Sequence, residues 1–149
     1  MKSLVPVFAA LLMTAAWSFG FEGKGVPDIS HDDLKAAIAA NKVTLLDCNG
    51  AESYAKGHIP GALEFGAVKG NLAEKLPKDK AALIVAYCGG PKCGAYKAGA
   101  SAAQALGYTN VRHYSAGISG WKEAGEKCAE PAKQTGATKS GGCCGGCGG

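Results

Sequence analysis

Arginine is almost missing from this 149-residue chain: lysine carries the net charge of +4, and Arg112 stands alone. Planar, bidentate phosphate recognition relies on guanidinium groups, so a nucleic-acid partner is not expected. Aromatic residues are also scarce, at 7%, and charged residues make up only 19% without forming runs. The lysines are scattered and read as a solvated face. No apolar stretch reaches the ~20 residues that a spanning helix needs. The longest candidate, residues 4–17, is interrupted by Pro6 and Thr14, so no stable membrane anchor is expected. The seven cysteines, Cys48, Cys88, Cys93, Cys128, Cys143, Cys144 and Cys147, lack the even count and spacing of a disulfide-stapled scaffold. At least one thiol is left to do something else.

What is present begins with an address. Lys2, the apolar residues 4–17 and small residues suited to cleavage after Ser18 or Gly20 read as a signal peptide over 1–20. Export, to a bacterial periplasm, is the expected location. Hydrophobic content of 47% over the whole chain fits one globular domain, placed at 21–129. A Gly- and Cys-rich tail over 130–149 follows, linker-like in composition.

Within the domain, strand and helix signals alternate. Residues 32–40 form an amphipathic helix, with Ser30 as N-cap and Asp33 at the capping-box position. A short strand over 43–46 runs up to Asp47 and Cys48, and a helical turn over 52–56 closes at Gly57. Residues 59–63 read as extended, and 69–76 as a helix stopped by Pro77. A buried strand over 83–87, a helix over 95–106, a strand over 111–114 and a closing helix over 117–124 complete the pattern. Such alternation predicts an α/β fold with a largely parallel sheet, whose ligands sit outside the carboxyl ends of the strands.

Cys88 falls at one of those ends. After it come Gly89, Gly90 and Pro91, which neither continue a strand nor start a helix, and then the helix itself. A thiol held there faces main-chain N–H groups and the positive end of a helix dipole. Its pKa is expected to fall, and the loop around it to accept an anion.

Four segments in order resemble the rhodanese family: residues 47–62, 85–94, 106–111 and 117–121. The resemblance implies about five parallel strands with helices on both faces. It also implies a thiosulfate-sulfurtransferase-like enzyme, with Cys88 as the nucleophile that becomes a persulfide. A small anionic sulfur donor and a thiol or protein sulfur acceptor are the implied partners, and no cofactor is required. Related phosphatases carry an Arg six residues after the cysteine; Gly94 occupies that place, which argues against phosphate-ester hydrolysis.

The substrate-binding candidates are Gly89, Gly90, Lys92, Cys93 and Gly94: loop amides for the anion and a lysine at the rim. Cys93 has two readings, a small filler at the helix start or a resolving thiol for Cys88. Cys48 is expected to pack in the interior, as are Trp121 and a hydrogen-bonded His113. Asp47 should order the loop network and His58 a turn, while Asn49 stands where the family commonly has Arg. In the tail, Cys143, Cys144 and Cys147 could hold a soft metal ion, Cu(I) or Zn(II), or carry sulfur. Two alternatives to the enzyme follow: a metal or sulfane-sulfur carrier using the tail, and thiol–disulfide exchange through Cys88 and Cys93.

Overall fold

The structure, a computed structural model, describes residues 25–130. The expected signal peptide over 1–20 and the tail thiols Cys143, Cys144 and Cys147 lie outside the described residues. Each strand is followed by a helical crossover, which forces its successor to run in the same direction. The elements are α1 (His31–Ala39), β1 (Val43–Asp47), α2 (Ala51–Ala55), β2 (Leu63–Glu64) and α3 (Phe65–Val68). After a 3-10 turn (Lys69–Asn71) come α4 (Leu72–Lys75), β3 (Leu83–Tyr87), α5 (Tyr96–Ala105), β4 (Val111–Tyr114) and α6 (Gly117–Glu123). The four strands form a parallel sheet in the order β2-β1-β3-β4.

Both faces are covered, so the strands are continuous apolar runs rather than alternating ones. On one face Leu45, Val85, Tyr87 and Tyr114 pack against Leu34 of α1 and against Ile118 and Trp121 of α6. On the other, Leu46, Ile84 and Ala86 meet Ala100 and Ala103 of α5 and Leu72 of α4. Small alanines let α5 lie close to the sheet. Each fully buried Leu or Ile contributes roughly 1.5–3 kcal/mol over its exposed state. Ser30 caps α1 by accepting from the Asp33 N–H at 3.1 Å. Trp121 is buried, as expected of a core residue.

The parallel α/β sheet is as expected, four strands against the about five implied, with one further bridge, Asp28 beside His113: the Ile29 N–H donates to the His113 carbonyl at 2.8 Å, and the His113 N–H to the Pro27 carbonyl at 2.9 Å. Pro27 has no N–H for a ladder and Ser30 already starts a helix, leaving no length to extend. Two local expectations are corrected. Residues 59–63 are mostly a turn, because Pro60 and Gly61 (φ 80°) bend the chain and the Ala62 N–H returns to the Ile59 carbonyl at 3.0 Å. Only Leu63 and Glu64 pair with β1. The helix expected over 69–76 splits at Asn71, whose extended φ of −132° and ψ of 30° interrupt the run. α3, capped by the Glu64 carboxylate through the Gly66 N–H at 2.9 Å and the Ala67 N–H, adds a turn before it.

Candidate active site

Asp47 and Tyr87 occupy paired positions at the carboxyl ends of β1 and β3. The Tyr87 hydroxyl donates to Asp47 Oδ2 at 2.7 Å and accepts the Ile59 N–H at 3.1 Å. Asn49 donates to Asp47 Oδ1 through both its backbone N–H and its Nδ2, each at 2.8 Å. The buried carboxylate is satisfied by neutral donors, so Asn49 serves a site where the family pattern suggested Arg. The Cys48 N–H donates to the Tyr87 carbonyl at 2.9 Å, so the ladder stays in register until the last residue before Cys88.

From Cys88 the backbone leaves the sheet and is strapped to α6. The Ile118 N–H donates to the Cys88 carbonyl at 2.9 Å and the Ser119 N–H to the Gly89 carbonyl at 3.1 Å. This approach requires a glycine at 117. Its φ is 60°, and a Cβ there would meet the Cys88 carbonyl oxygen at 2.3 Å and the Gly90 nitrogen at 2.7 Å. The Cys93 N–H then donates to the Gly90 carbonyl at 3.0 Å, turning the chain back over Cys88 and into α5.

The two loop cysteines are neighbours in different environments. Cys88 has 0% of its surface exposed, and its Sγ donates to the Cys93 carbonyl at 3.1 Å. Cys93 is half-buried. It lines a hollow of about 430 Å³ with Gly89, Gly90, Pro91, Lys92 and Ser119. Burial, and then the hydrogen bond it shares with Cys93, push the Cys88 thiol above its ordinary pKa; the N–H groups of Tyr96 and Gly90 oppose this. The Cys93 thiol is lowered, chiefly by the neighbouring Cys88 thiol; burial opposes this next, and the N–H groups of Ala95 and Gly89 add smaller lowering effects.

The expectation of a lowered pKa at Cys88 is thus corrected. The loop amides and helix start do face the sulfur pair, but desolvation outweighs them at Cys88, and the more acidic thiol is Cys93. Ala95, the N-cap of α5, offers no side-chain cap, so its turn's free N–H groups are available to the two sulfurs.

Residues 30–124 match the rhodanese-like domain family. The chain belongs to the rhodanese-like family. Human thiosulfate:glutathione sulfurtransferase is 31% identical over 112 residues, covering 66% of this chain and 96% of that protein. Among solved structures, a rhodanese-related protein from Thermoplasma volcanium superposes with a TM-score of 0.55 at 20% identity, over 70% of this chain and 99% of that one. The Escherichia coli 3-mercaptopyruvate sulfotransferase SseA gives 0.58 at 19% identity, over 72% of this chain and 52% of that one. These two likenesses concern the fold.

In this rhodanese-like chain, Gly89, Gly90, Lys92 and Cys93 surround one hollow beside Cys88, with Lys92 exposed at its rim. Gly94 is exposed and does not line it. Cys48 is partly buried, its Sγ 2.7 Å from where a Cβ on Gly99 would stand, and burial pushes its pKa up to about 12. It packs between β1 and α5, as expected. His58 fixes its turn through Nδ1 and the Tyr54 carbonyl at 3.0 Å, stacked on the Tyr54 ring at 3.7 Å.

His113 departs from the expectation of a hydrogen-bonded core histidine. Its ring stacks on Tyr96 at 3.3 Å, and its buried Nε2 has no hydrogen-bond partner among the described residues. Two contributors escaped the sequence reading: Gly117 and Ser119. Residues 117–121 were recognisable as a closing signature, but nothing in one dimension says that this glycine supports the cysteine loop. Among the described residues, no group of three or more His, Cys, Asp or Glu side chains is placed to hold a metal ion, and no helix is long and apolar enough to cross a membrane.

Proposed function

We propose that this sulfurtransferase takes sulfane sulfur from a small anionic donor such as thiosulfate onto Cys88 and passes it to a thiol acceptor. Family membership and the human relative support sulfur transfer as the reaction class. The observation that carries the finer reading is Cys88 itself, at the end of β3, with the amides of Gly90 and Tyr96 turned toward its sulfur and an accessible hollow beside it.

The Cys88 thiolate attacks the outer sulfur of thiosulfate; the S–S bond breaks and sulfite leaves with the electron pair. The loop amides stabilise negative charge on the donor and on the persulfide, and exposed Lys92 attracts the anion. An acceptor thiolate such as glutathione then takes the outer sulfur, and Cys88 leaves as thiolate. Because Cys88 has no exposed surface, uptake requires the loop over 89–94 to part. Its strap to α6 is two hydrogen bonds long, a small barrier to opening.

The test is intact-mass and peptide-resolved mass spectrometry after thiosulfate treatment. One extra sulfur atom should land on Cys88, and Cys88→Ser should abolish both the adduct and sulfite release. Undiminished sulfite release in that variant refutes the assignment.

A further inference from the structure

A simple sulfur carrier needs one thiol in its loop; this loop holds two, with the Cys88 thiol against the backbone of Cys93. We propose that Cys93 is the internal release thiol: it attacks Cys88 once Cys88 carries sulfur, and expels that sulfur as sulfide. The proposal rests on the sulfur-loading reading above and names the group that discharges the loaded sulfur as a residue of the chain itself.

The geometry favours it in three ways. The turn from Gly90 to Cys93 folds residue 93 back over residue 88, close enough for the Cys88 thiol to donate to the Cys93 carbonyl at 3.1 Å. An external thiol has to enter the hollow and part the loop, whereas Cys93 is already beside the sulfur, the advantage of an intramolecular group. Exposure is also divided usefully: Cys88 is sealed, while Cys93 lines the hollow. Independently, the lowered pKa of Cys93 raises its thiolate fraction near neutrality, the form that attacks. Cys48 stays protonated with a pKa pushed up to about 12 and packs against α5 as a bystander.

The step balances without an outside oxidant. The Cys93 thiolate forms a bond to Cys88 Sγ, the Cys88 Sγ–outer sulfur bond breaks, and the outer sulfur leaves with the electron pair as hydrosulfide. Two cysteine sulfurs are oxidised to a disulfide while the sulfane sulfur is reduced to sulfide. An external thiol then attacks the exposed sulfur of that disulfide, Cys93, and Cys88 departs as thiolate. A second external thiol clears the mixed disulfide from Cys93. The net turnover consumes one sulfane sulfur and two thiols and yields one sulfide and one disulfide.

The test uses the reduced full-length protein, treated with thiosulfate, desalted, and held without added thiol. The native chain should release one sulfide per loaded chain and show a Cys88–Cys93 cross-linked peptide. Cys93→Ser should keep its sulfur on Cys88, with sulfide release slowed about a hundredfold or more, within the advantage of a positioned intramolecular group, and should discharge when glutathione is added. Glutathione added to the native product should appear as a mixed disulfide on Cys93.

Equal sulfide release from Cys93→Ser, a bridge from Cys88 to any other cysteine, or sulfur transferred intact onto Cys93 overturns the proposal while leaving Cys88 as the loading site. No sulfur on Cys88 in either protein overturns both readings, and so separates the two failures.

Discussion

Two cysteines five residues apart, in one loop, shift in opposite directions for one reason. Cys88 loses its hydration and gives its proton to the carbonyl of residue 93, while Cys93 keeps part of its hydration and has its thiolate favoured by the neighbouring Cys88. The first proton to leave the pair therefore belongs mainly to Cys93, although the titration is a property of both. Alkylation by iodoacetamide, followed peptide by peptide across pH, should label Cys93 with a midpoint below the ordinary 9.0 and Cys88 only above it. Cys88→Ala removes that neighbouring thiol, so the Cys93 midpoint should move up toward the ordinary value. An unchanged midpoint would show that the helix amides, rather than Cys88, hold the Cys93 thiolate.

At the scale of elements, the site depends on α6 as much as on the cysteine loop. Its first turn gives two N–H groups to the carbonyls of Cys88 and Gly89, and Gly117 makes the approach feasible. Gly117→Ala puts a Cβ into backbone at 2.3 Å with φ at 60°, and neither partner is a side chain that can swing away. The left-handed backbone and the displaced hydrogen bonds together should cost about 2–4 kcal/mol, read as a drop in urea midpoint at unchanged m-value. Cys88 alkylation should speed up in the same variant, because the strap loosens; a stability loss without that change would separate α6 from the loop.

The placement of Cys88 after β3 and before α5 was legible in the sequence, because a short branched apolar run, a glycine pair and an alanine-rich helix each have a local signature. The sealing of Cys88 was not, because desolvation depends on α6, 29 residues further along. Nor was the brevity of β2: the extended character of residues 59–63 was overruled by the Pro60–Gly61 turn. His113 was expected to have found a partner, and only the packing of Tyr96 over its ring reveals that Nε2 has none among the described residues.

For the whole molecule, the buried titratable groups outside the thiol pair set the pH range of stability. Burial lowers the His113 pKa below 6.5, with Asp28 opposing weakly. The unfolded chain then takes up a proton that the folded chain resists, so stability falls as pH drops through 6.5. Burial raises Cys48 from 9.0 to about 12, and raises Tyr87 well above 10.0 with Asp47 adding to it. Here the folded state keeps protons that the unfolded chain releases, so stability falls again as pH climbs above 9.0. Tyr54 and Tyr114 are raised too and act in the same direction. Lys35 and Glu126 shift through their mutual ion pair, but that pair is solvated and adds little.

Urea midpoints across pH should therefore trace a plateau between about 6.5 and 9.0 with a decline on each side. His113→Gln should flatten the acid limb and leave the alkaline one. Cys48→Ala should delay the alkaline decline until the tyrosines begin to ionise. The thiol chemistry then has its own constraint: raising the pH ionises Cys88 and should speed sulfur uptake, while the same change lowers the stability of the fold that holds the loop. Single-turnover sulfite release should rise with pH and then fall where the urea midpoint falls, and Cys48→Ala should push that fall to higher pH. A fall at the same pH in both proteins would place the loss in the loop itself rather than in the fold that supports it.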